Sequence, residues 1–235
     1  MDGKNISKLS FEDLNLKESL LRGVFSYGFE NPSIIQNSAI PILSKGKDII
    51  AQAQSGTGKT GAFSIGCLNK LDEEKKRTQV LIISPTHELV NQTYDVIKNL
   101  SNYMDVSIMK VMGGTNVNEC RNDLSKDPQI IVGSPGRILD MINRRFLFTD
   151  NITTLIFDEA DEILSYGFKE SIYNIIKCIP QNTQICLFSA TIPEDVIELS
   201  SKFLREPENI LVKKEALTLE GITQFYINIK VNDWK

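Results

Sequence analysis

Six short apolar runs, separated by stretches with helical periodicity, constrain the fold of this 235-residue chain more than any other feature. The runs read DIIAQA, QVLIIS, VSIMKVM, QIIVGS, TLIFD and QICLFSA, at residues 48–53, 79–84, 106–112, 129–134, 154–158 and 184–190. Short, nearly continuous β-branched runs are typical of strands buried on both faces, so the alternation predicts an α/β fold: a mainly parallel sheet with helices on both faces. An opening helix fits LKESLLRGVFSYG, with Leu16, Leu20, Leu21, Val24 and Phe25 on one face, and later helices are predicted from Lys59, Glu88, Val117, Arg137, Glu159 and Glu194.

Polar, glycine and proline residues cluster where each predicted strand ends. The six ends read AQSGTGKT, SPTHEL, MGG, GSPGR, DEAD and SAT. The carboxyl ends of parallel strands lie at one edge of a sheet, and ligand sites of open α/β sheets lie beyond that edge. We therefore expect these segments to form the functional site together.

Composition excludes several classes of function. The single histidine, His87, argues against a histidine-based zinc site and against a Ser-His-Asp triad. Four cysteines without Cys-x-x-Cys spacing indicate reduced thiols, and a net charge of −4 argues against coating of nucleic acid by bulk positive charge. No signal peptide is evident, and no apolar run approaches the ~18 residues of a membrane span. We expect a cytoplasmic protein without a membrane partner.

A phosphate-binding loop is predicted at AQSGTGKT, Ala53 to Thr60, which nearly fits G-x-x-x-x-G-K-[ST]. An apolar strand precedes it and a helical pattern follows it. Gly56 and Gly58 would let backbone amides surround phosphate oxygens, Lys59 would reach the β- and γ-phosphates, and Thr60 would offer its hydroxyl to Mg²⁺. The alternative is a glycine turn before a helix, with an exposed lysine.

The segment TTLIFDEADEIL places four carboxylates directly after a predicted strand. They could be only the acidic first turn of an ordinary helix, where the helix dipole favours negative charge. A phosphate loop, however, requires an aspartate at the end of a nearby strand. Asp158 fits that role in the Mg²⁺ shell, and Glu159 can orient and deprotonate the attacking water. Glu162 keeps the ordinary role of a solvated first-turn residue.

With these motifs in place, the chain resembles the DEAD-box RNA helicases, whose fold is two RecA-like domains. DEAD stands at Asp158–Asp161 and SAT at Ser189–Thr191, while SPTHEL resembles the family's Pro-Thr-Arg-Glu-Leu motif and SPGR its Thr-Pro-Gly-Arg motif. Residues 28–36, GFENPSIIQ, resemble the adenine-reading Q motif, with Phe11 seventeen residues before it. GGTNV, DEADEIL and LVKKEALTLEGITQFYIN are similar to the translation initiation factor 4A subgroup.

The resemblance implies ATP and Mg²⁺ as cofactors and assigns the residues that bind them. Gln36 would read the adenine edge, and Phe29 would stack on the ring; the alternative is that Phe29 belongs to the core and Gln36 to a helix surface. The implied phosphate-loop residues are Ala53, Gln54, Ser55, Gly56, Thr57, Gly58, Lys59 and Thr60. The implied catalytic residues are Lys59, Asp158 and Glu159, with Thr60 and Asp158 at the metal.

The resemblance also implies an RNA path and a link between RNA and ATP. Asp161, Ser189 and Thr191 would form the link, although Thr191 could instead cap the next helix. The RNA path would contain Pro85, Thr86, His87, Gly113, Gly114, Ser134 and Arg137. Each of these could alone be an ordinary turn residue. The family's arginine is His87 here, and another frequent arginine is Tyr166, so we expect weaker RNA binding than is usual in the family.

Three segments are expected: an N-terminal extension with the Q motif at 1–36, a RecA-like ATP-binding domain at 37–213, and an interdomain linker at 214–235. The second RecA-like domain is expected to be missing from this chain. That domain would carry two finger arginines, which contribute about 10³–10⁵ in rate to phosphoryl transfer, so we expect residues 1–235 alone to be a poor ATPase.

The expected function is therefore that of an ATP-dependent RNA helicase that unwinds short RNA duplexes. Its partners would be RNA and a translation-initiation scaffold protein, and it would act as a monomer. One alternative is a non-enzymatic, ATP-gated scaffold for initiation partners, and another is a DNA-directed helicase. Intact Lys59, Asp158 and Glu159 favour an enzyme.

Overall fold

A seven-stranded sheet forms the centre of residues 10–212, the part of the chain that a computed structural model describes. The strands are β1 (Ile49–Gln52), β2 (Val80–Ile83), β3 (Ile108–Val111), β4 (Ile130–Gly133), β5 (Thr154–Asp158), β6 (Gln184–Ser189) and β7 (Glu208–Leu211). Their spatial order is β3-β4-β2-β5-β6-β1-β7, and all neighbours are parallel. The predicted fold class and all six predicted strands are confirmed.

Helices connect the strands and cover both faces of the sheet. They are α1 (Glu18–Ser26), α2 (Ile34–Ser44), α3 (Lys59–Lys70), α4 (His87–Leu100), α5 (Val117–Leu124), α6 (Pro135–Asn143), α7 (Ala160–Ser165), α8 (Lys169–Cys178) and α9 (Glu194–Phe203). The predicted helix from Glu159 is two helices, because a turn at Gly167, with φ of 81°, separates α7 from α8. None of the helices in residues 10–212 has the length and hydrophobicity that a bilayer crossing requires.

Two apolar layers enclose the sheet, one on each face. Along β2, Ile82 belongs to the first layer, while Leu81 and Ile83 belong to the second, as the alternation of a strand requires. The first layer also contains the fully buried Phe11 from the N-terminal segment. The segment boundary expected at residue 36 falls inside α2. The Q-motif region therefore packs against the same core as the phosphate-loop helix.

The opening helix is shorter than predicted, and its apolar face is narrower. Leu20 and Val24 are buried as expected, but Phe25 is 41% exposed. Phe25 follows Val24 directly, and one residue corresponds to a rotation of about 100° around a helix, so Phe25 lies at the margin of the core, with its ring centroid 6.4 Å from that of Phe11. The expectation that Phe25 lies on the buried face is wrong.

The C-terminal strand begins earlier than predicted. The run ILVKK at residues 210–214 predicts its position, whereas β7 spans Glu208–Leu211. The Glu208 amide donates to the Asp48 carbonyl at 2.9 Å and starts the pairing with β1. The predicted hinge LTLEG, the strand-like run ITQFYINIKV and the linker at 214–235 lie outside the described residues.

Buried glutamines organise the amino edge of the sheet, opposite the predicted site. Gln79 and Gln129 stand just before β2 and β4 and are 3% and 0% exposed. Their side-chain amides donate to backbone carbonyls of residues 72–75 at 2.7–3.3 Å. The buried polar groups of this edge therefore fix the loop at residues 72–75.

Candidate functional site

The phosphate-loop motif connects β1 to α3. Gly56 and Gly58 have φ of 80° and 96°, a left-handed conformation that glycine adopts without strain. The Thr57 hydroxyl donates to the Gln54 carbonyl at 2.7 Å and closes the loop. Ser55 and Gly56 are exposed, so the backbone of this loop is accessible to a ligand.

Lys59 begins α3 with its side chain turned into the site. It is only 5% exposed, which excludes the alternative of a turn with an exposed lysine. Its ammonium group donates to the Ala53 carbonyl and to the Glu159 carboxylate, both at 3.0 Å. Thr60, the next residue of α3, is partly exposed. The structure thus brings the predicted phosphate-binding lysine and the predicted catalytic glutamate into direct contact.

Gln36 is fixed by both a helix cap and the phosphate loop. It is the third residue of α2, where Ser33 and Gln36 form a reciprocal capping box. The Gln36 side-chain oxygen accepts from the Ser33 amide at 2.9 Å, and its Nε2 donates to the Gly58 carbonyl at 3.3 Å. At 4% exposed, Gln36 is not the helix-surface residue of the alternative interpretation.

Phe29 stacks on Phe11 rather than entering the deep core. Their ring centroids are 6.1 Å apart with an interplanar angle of 18°. Phe29 also contacts α3 at Gly61, where an added Cβ would lie 3.2 Å from the ring and 2.7 Å from Gln36 Nε2. A glycine at position 61 therefore permits the close approach of both predicted adenine-contacting residues to the phosphate-loop helix.

Asp158, at the end of β5, is 2% exposed. Burial first, and the adjacent Glu159 charge second, raise the pKa of Asp158 to about 7. The side-chain hydrogen bond that it accepts is a long one, from the Thr93 hydroxyl of α4 at 3.4 Å.

The backbone of Glu159 has φ of 52°, so the helix predicted from Glu159 begins one residue later, at Ala160.

The three predicted coupling residues lie in contact. The Ser189 hydroxyl accepts from the Asp161 amide at 3.2 Å, and the Asp161 carboxylate accepts from the Thr191 amide at 3.1 Å and the Thr191 hydroxyl at 2.5 Å. Burial alone would raise the pKa of Asp161. The hydrogen bonds with Thr191 and Ser189 together have the larger effect, so the pKa lies below its usual value. Helix α9 has Pro193 at its N-cap without a side-chain cap, so Thr191 does not serve as the cap.

The seven predicted RNA-path residues follow three adjacent strands. Pro85, Thr86 and His87 follow β2, with the Thr86 hydroxyl capping α4 by accepting from the Leu89 amide at 3.2 Å. Gly113 and Gly114 follow β3, and Ser134 and Arg137 follow β4. An added Cβ on Gly113 would lie 3.4 Å from His87 Nε2, so these two loops touch. Pro85 is buried, whereas His87 and Gly114 are exposed.

Several residues that contact the predicted site residues were not predicted from the sequence. Arg137 donates to the carbonyl and hydroxyl of Thr115 at 3.1 Å, so Thr115 orients the one arginine predicted for the RNA path. The role of Ser33 could have been found, because Ser-x-x-Gln before an apolar run is a capping-box signal. Thr93 and Gly61 gave no local signal, since their contacts involve distant parts of the chain.

Comparisons with known proteins agree with this geometry. A model of the DEAD/DEAH box helicase family matches residues 33–199. Proteins named ATP-dependent RNA helicase eIF4A, from Neosartorya fischeri and Botryotinia fuckeliana, are 53% and 54% identical over 96% of this chain, which spans 57% of the length of each. Two solved structures are also similar over most of this chain. One is a DEAD box protein from Methanococcus jannaschii, with a TM-score of 0.85, 36% identity and coverage of 88% of this chain and 57% of that one.

The other is S. cerevisiae Dbp5 bound to RNA and ADP BeF3, with a TM-score of 0.81, 29% identity and coverage of 92% of this chain and 55% of that one. The curated relatives and these structures are therefore longer than the matched region. The family model covers more than half of the chain and includes the phosphate loop, the DEAD segment and the SAT segment. This chain belongs to the DEAD/DEAH box helicase family.

Proposed function

We propose that residues 10–212 act as the first RecA-like domain of an ATP-dependent RNA helicase. The observation that carries this proposal is the strand order. The predicted ATP elements follow β5, β6 and β1, the predicted RNA elements follow β3, β4 and β2, and the two sets occupy adjacent halves of one sheet edge. Because β2 and β5 are neighbours, the RNA path begins next to the strand that carries Asp158.

The donor set at the phosphate loop fits Mg²⁺. A buried carboxylate with a raised pKa and one long hydrogen bond is a group that a cation would stabilise. Among residues 10–212, no cluster of three His, Cys, Asp or Glu side chains forms a self-contained metal site. Mg²⁺ is commonly held by one or two carboxylates together with substrate phosphates, so Asp158 and the Thr60 hydroxyl would suffice. When bound, Mg²⁺ neutralises charge that develops on the phosphates.

Lys59 and Glu159 perform the remaining chemistry in this proposal. In this structure the Lys59 ammonium donates hydrogen bonds to the Ala53 carbonyl and the Glu159 carboxylate. When ATP binds, it moves to the β- and γ-phosphates and stabilises their negative charge. Glu159, released from Lys59, orients the attacking water and accepts its proton. The contacts of Asp161 with Ser189 and Thr191 connect this centre to the strand beside the phosphate loop.

Gln36 selects adenine in this proposal, because its amide has one donor and one acceptor left. One of its two N–H groups donates to the Gly58 carbonyl, which leaves the other N–H free. Its oxygen accepts one hydrogen bond, from the Ser33 amide, and has a second lone pair available. Gln36→Glu keeps the capping box but removes the donor. We expect this change to reduce the preference for ATP over GTP by roughly threefold to tenfold in competition against a fluorescent ATP analogue.

Ser33→Ala is the matched control, because it removes the helix cap and leaves the Gln36 amide. It should lower stability by about 1 kcal/mol with little effect on base preference. Equal preference for ATP in wild type and Gln36→Glu would remove Gln36 from base recognition.

His87 limits RNA affinity in this proposal, because it stands exposed at the first turn of α4, on the RNA path. His87→Arg adds a permanent charge there, so we expect tighter binding of single-stranded RNA. The slope of log affinity against log salt should steepen by about 0.7, the value for one phosphate contact on a single strand. Fluorescence anisotropy with labelled RNA between low and moderate salt measures both quantities.

Asn102→Arg is the control for the RNA measurement, because it adds the same charge beyond the opposite end of α4. It should leave the slope nearly unchanged. A slope that steepens equally in both variants would indicate non-specific attraction and would place His87 off the path.

The proposal also includes a role for this protein in the cell. The relatives named eIF4A support a role in cytoplasmic translation initiation, as a monomer that works with an initiation scaffold protein and a second RecA-like domain. Strand displacement on matched RNA and DNA duplexes, by this chain joined to a second domain, tests it. We expect ATP-dependent separation of the RNA duplex. ATP binding without separation would favour the scaffold alternative, and equal action on DNA would favour the DNA-directed one.

A further inference from the structure

Strand β3 lies at one edge of the sheet. In residues 10–212 it pairs with β4 alone, and no other strand covers its second side. Of the β3 residues, Ile108, Met109 and Lys110 are partly exposed. A sheet edge presents unpaired backbone N–H and C=O groups, which another extended chain can use.

The pairing with β4 determines which backbone groups of β3 are unpaired. The Ser107 carbonyl accepts from the Ile130 amide at 3.1 Å, and the Val111 carbonyl accepts from the Ser134 amide at 3.0 Å. Backbone groups of a strand alternate in direction, so the odd-numbered residues of β3 face β4. Ile108 and Lys110 therefore direct their N–H and C=O groups away from the sheet. No helix, loop or side chain of the described residues pairs with these four groups.

A groove of about 400 Å³ runs along this edge. On the side of α4 it is lined by Lys110, whose ammonium lies 4.7 Å from the Tyr94 ring centre and donates to Asn91 at 2.8 Å. On the other side it is lined by Met109, Pro128, Asp123 and Lys126. One wall is thus cationic and aromatic, and the other combines apolar surface with one acidic and one basic side chain.

The charge of the groove differs in sign from that of the whole chain. Neither Lys110 nor Lys98, which lies 6.0 Å from the Tyr94 ring, has a carboxylate within ion-pair distance in the region that the structure covers. Lys126, at the rim, pairs with Asp123 at 2.6 Å. Since the chain carries a net charge of −4, two lysines without acidic partners form a local positive surface. Acidic side chains complement such a surface.

We infer that the β3 edge is a docking site for an extended segment of a partner protein, which adds to the sheet as an eighth strand. Side chains of an added strand alternate between its two faces, so the segment would alternate acidic residues toward Lys110 and Lys98 with aliphatic residues toward Met109 and Pro128. A second copy of this chain fits less well, because two β3 edges would bring their Lys110 side chains together.

Backbone hydrogen exchange tests the direction of each amide. The probe is the synthetic peptide Glu-Val-Glu-Val-Glu-Val-Glu, added to residues 1–235 and followed by NMR. We expect the Ile108 and Lys110 amides to exchange fast in the free protein and to become protected with the peptide. The Met109 and Val111 amides should be protected in both states, because they pair with β4. If the peptide binds without protecting residues 108 and 110, the docking site is wrong.

Two substitutions at one position separate the backbone from the charge. Lys110→Pro removes the outward N–H and the ammonium, and proline is tolerated on an edge strand when its nitrogen faces away from the sheet. Lys110→Ala removes the ammonium together with the methylene groups that carry it, but keeps the outward N–H. We expect Lys110→Pro to bind the peptide about threefold to tenfold more weakly than Lys110→Ala, the loss that one hydrogen bond accounts for. Thermal melts of both variants should show that the domain remains folded.

Two modified peptides and one solution measurement complete the test. A peptide N-methylated on alternate amides, which cannot pair with the edge, should not bind, and the Lys-Val analogue should bind more weakly than the Glu-Val peptide. Equal affinity of Lys110→Pro and Lys110→Ala would overturn the strand-addition geometry. Concentration-dependent dimers that protect residues 108 and 110 without peptide would assign the edge to self-association instead.

Discussion

Glu159→Gln should nearly abolish ATP turnover while ATP remains bound. The Glu159 side chain is 13% exposed and lies 3.0 Å from Lys59, at the mouth of the phosphate loop. The amide keeps the size and one acceptor of the carboxylate but cannot take a proton from water. Loss of a positioned general base costs typically 10²–10⁴ in rate. RNA-stimulated phosphate release by this chain joined to a second RecA-like domain measures the rate, and a fluorescent ATP analogue measures the affinity. Alanine at Glu159 should behave likewise.

Glu162→Gln is the matched control for this prediction. Glu162 lies three residues later in the exposed first turn of α7, so the same chemical change there should leave turnover unaltered. Turnover that survives in Glu159→Gln would show that another group activates the water. Turnover lost in both variants would point to the charge of the segment rather than to one base.

Gly23→Ala should destabilise the domain strongly, although it adds only one methyl group, in α1 and not at a predicted ATP-site residue. A Cβ on Gly23 would lie 1.9 Å from the backbone oxygen of Leu100 and 2.9 Å from its carbonyl carbon. Because these are backbone atoms, α1 and α4 must move apart. Overpacking of this kind lowers the free energy of unfolding by about 1–3 kcal/mol. Urea denaturation followed by circular dichroism measures the loss.

Gly136→Ala provides the comparison. Gly136 lies in the first turn of α6, and an added Cβ there meets nothing within 4 Å. Alanine favours helix by up to about 1 kcal/mol over glycine, so this variant should be as stable as wild type or more stable. If Gly23→Ala proves equally harmless, the close α1–α4 contact does not exist in solution.

The strands and the phosphate loop could be predicted because their signals are local. Continuous apolar runs mark strands buried on both faces, and β2, β4, β5 and β6 are buried along their whole length. The glycines of the phosphate loop follow such a run directly. The contact of Asp161 with Ser189 and Thr191 came from resemblance to a family, since nothing in the spacing of these residues indicates it.

What could not be predicted depends on contacts between distant residues. The strand order, which separates the predicted ATP-binding segments from the predicted RNA-binding segments, comes from pairings that no local pattern encodes. Glu159 looks like a helical residue in sequence, but it adopts φ of 52° beside Lys59, one hundred residues away in the chain. The 41% exposure of Phe25 likewise follows from where α1 meets its neighbours.

The position of Lys59 has a consequence for how nucleotide is captured. Its ammonium already holds two oxygen acceptors, the Ala53 carbonyl and the Glu159 carboxylate. In the proposed function an arriving phosphate would replace these acceptors, so that binding would be an exchange of partners, with a net gain equal to the difference between two sets of hydrogen bonds. After the nucleotide departs, the Lys59 ammonium would again have the two acceptors that it has in this structure. A loop that already satisfies its own lysine would therefore bind nucleotide with a smaller net free energy than a loop whose lysine had no protein partner.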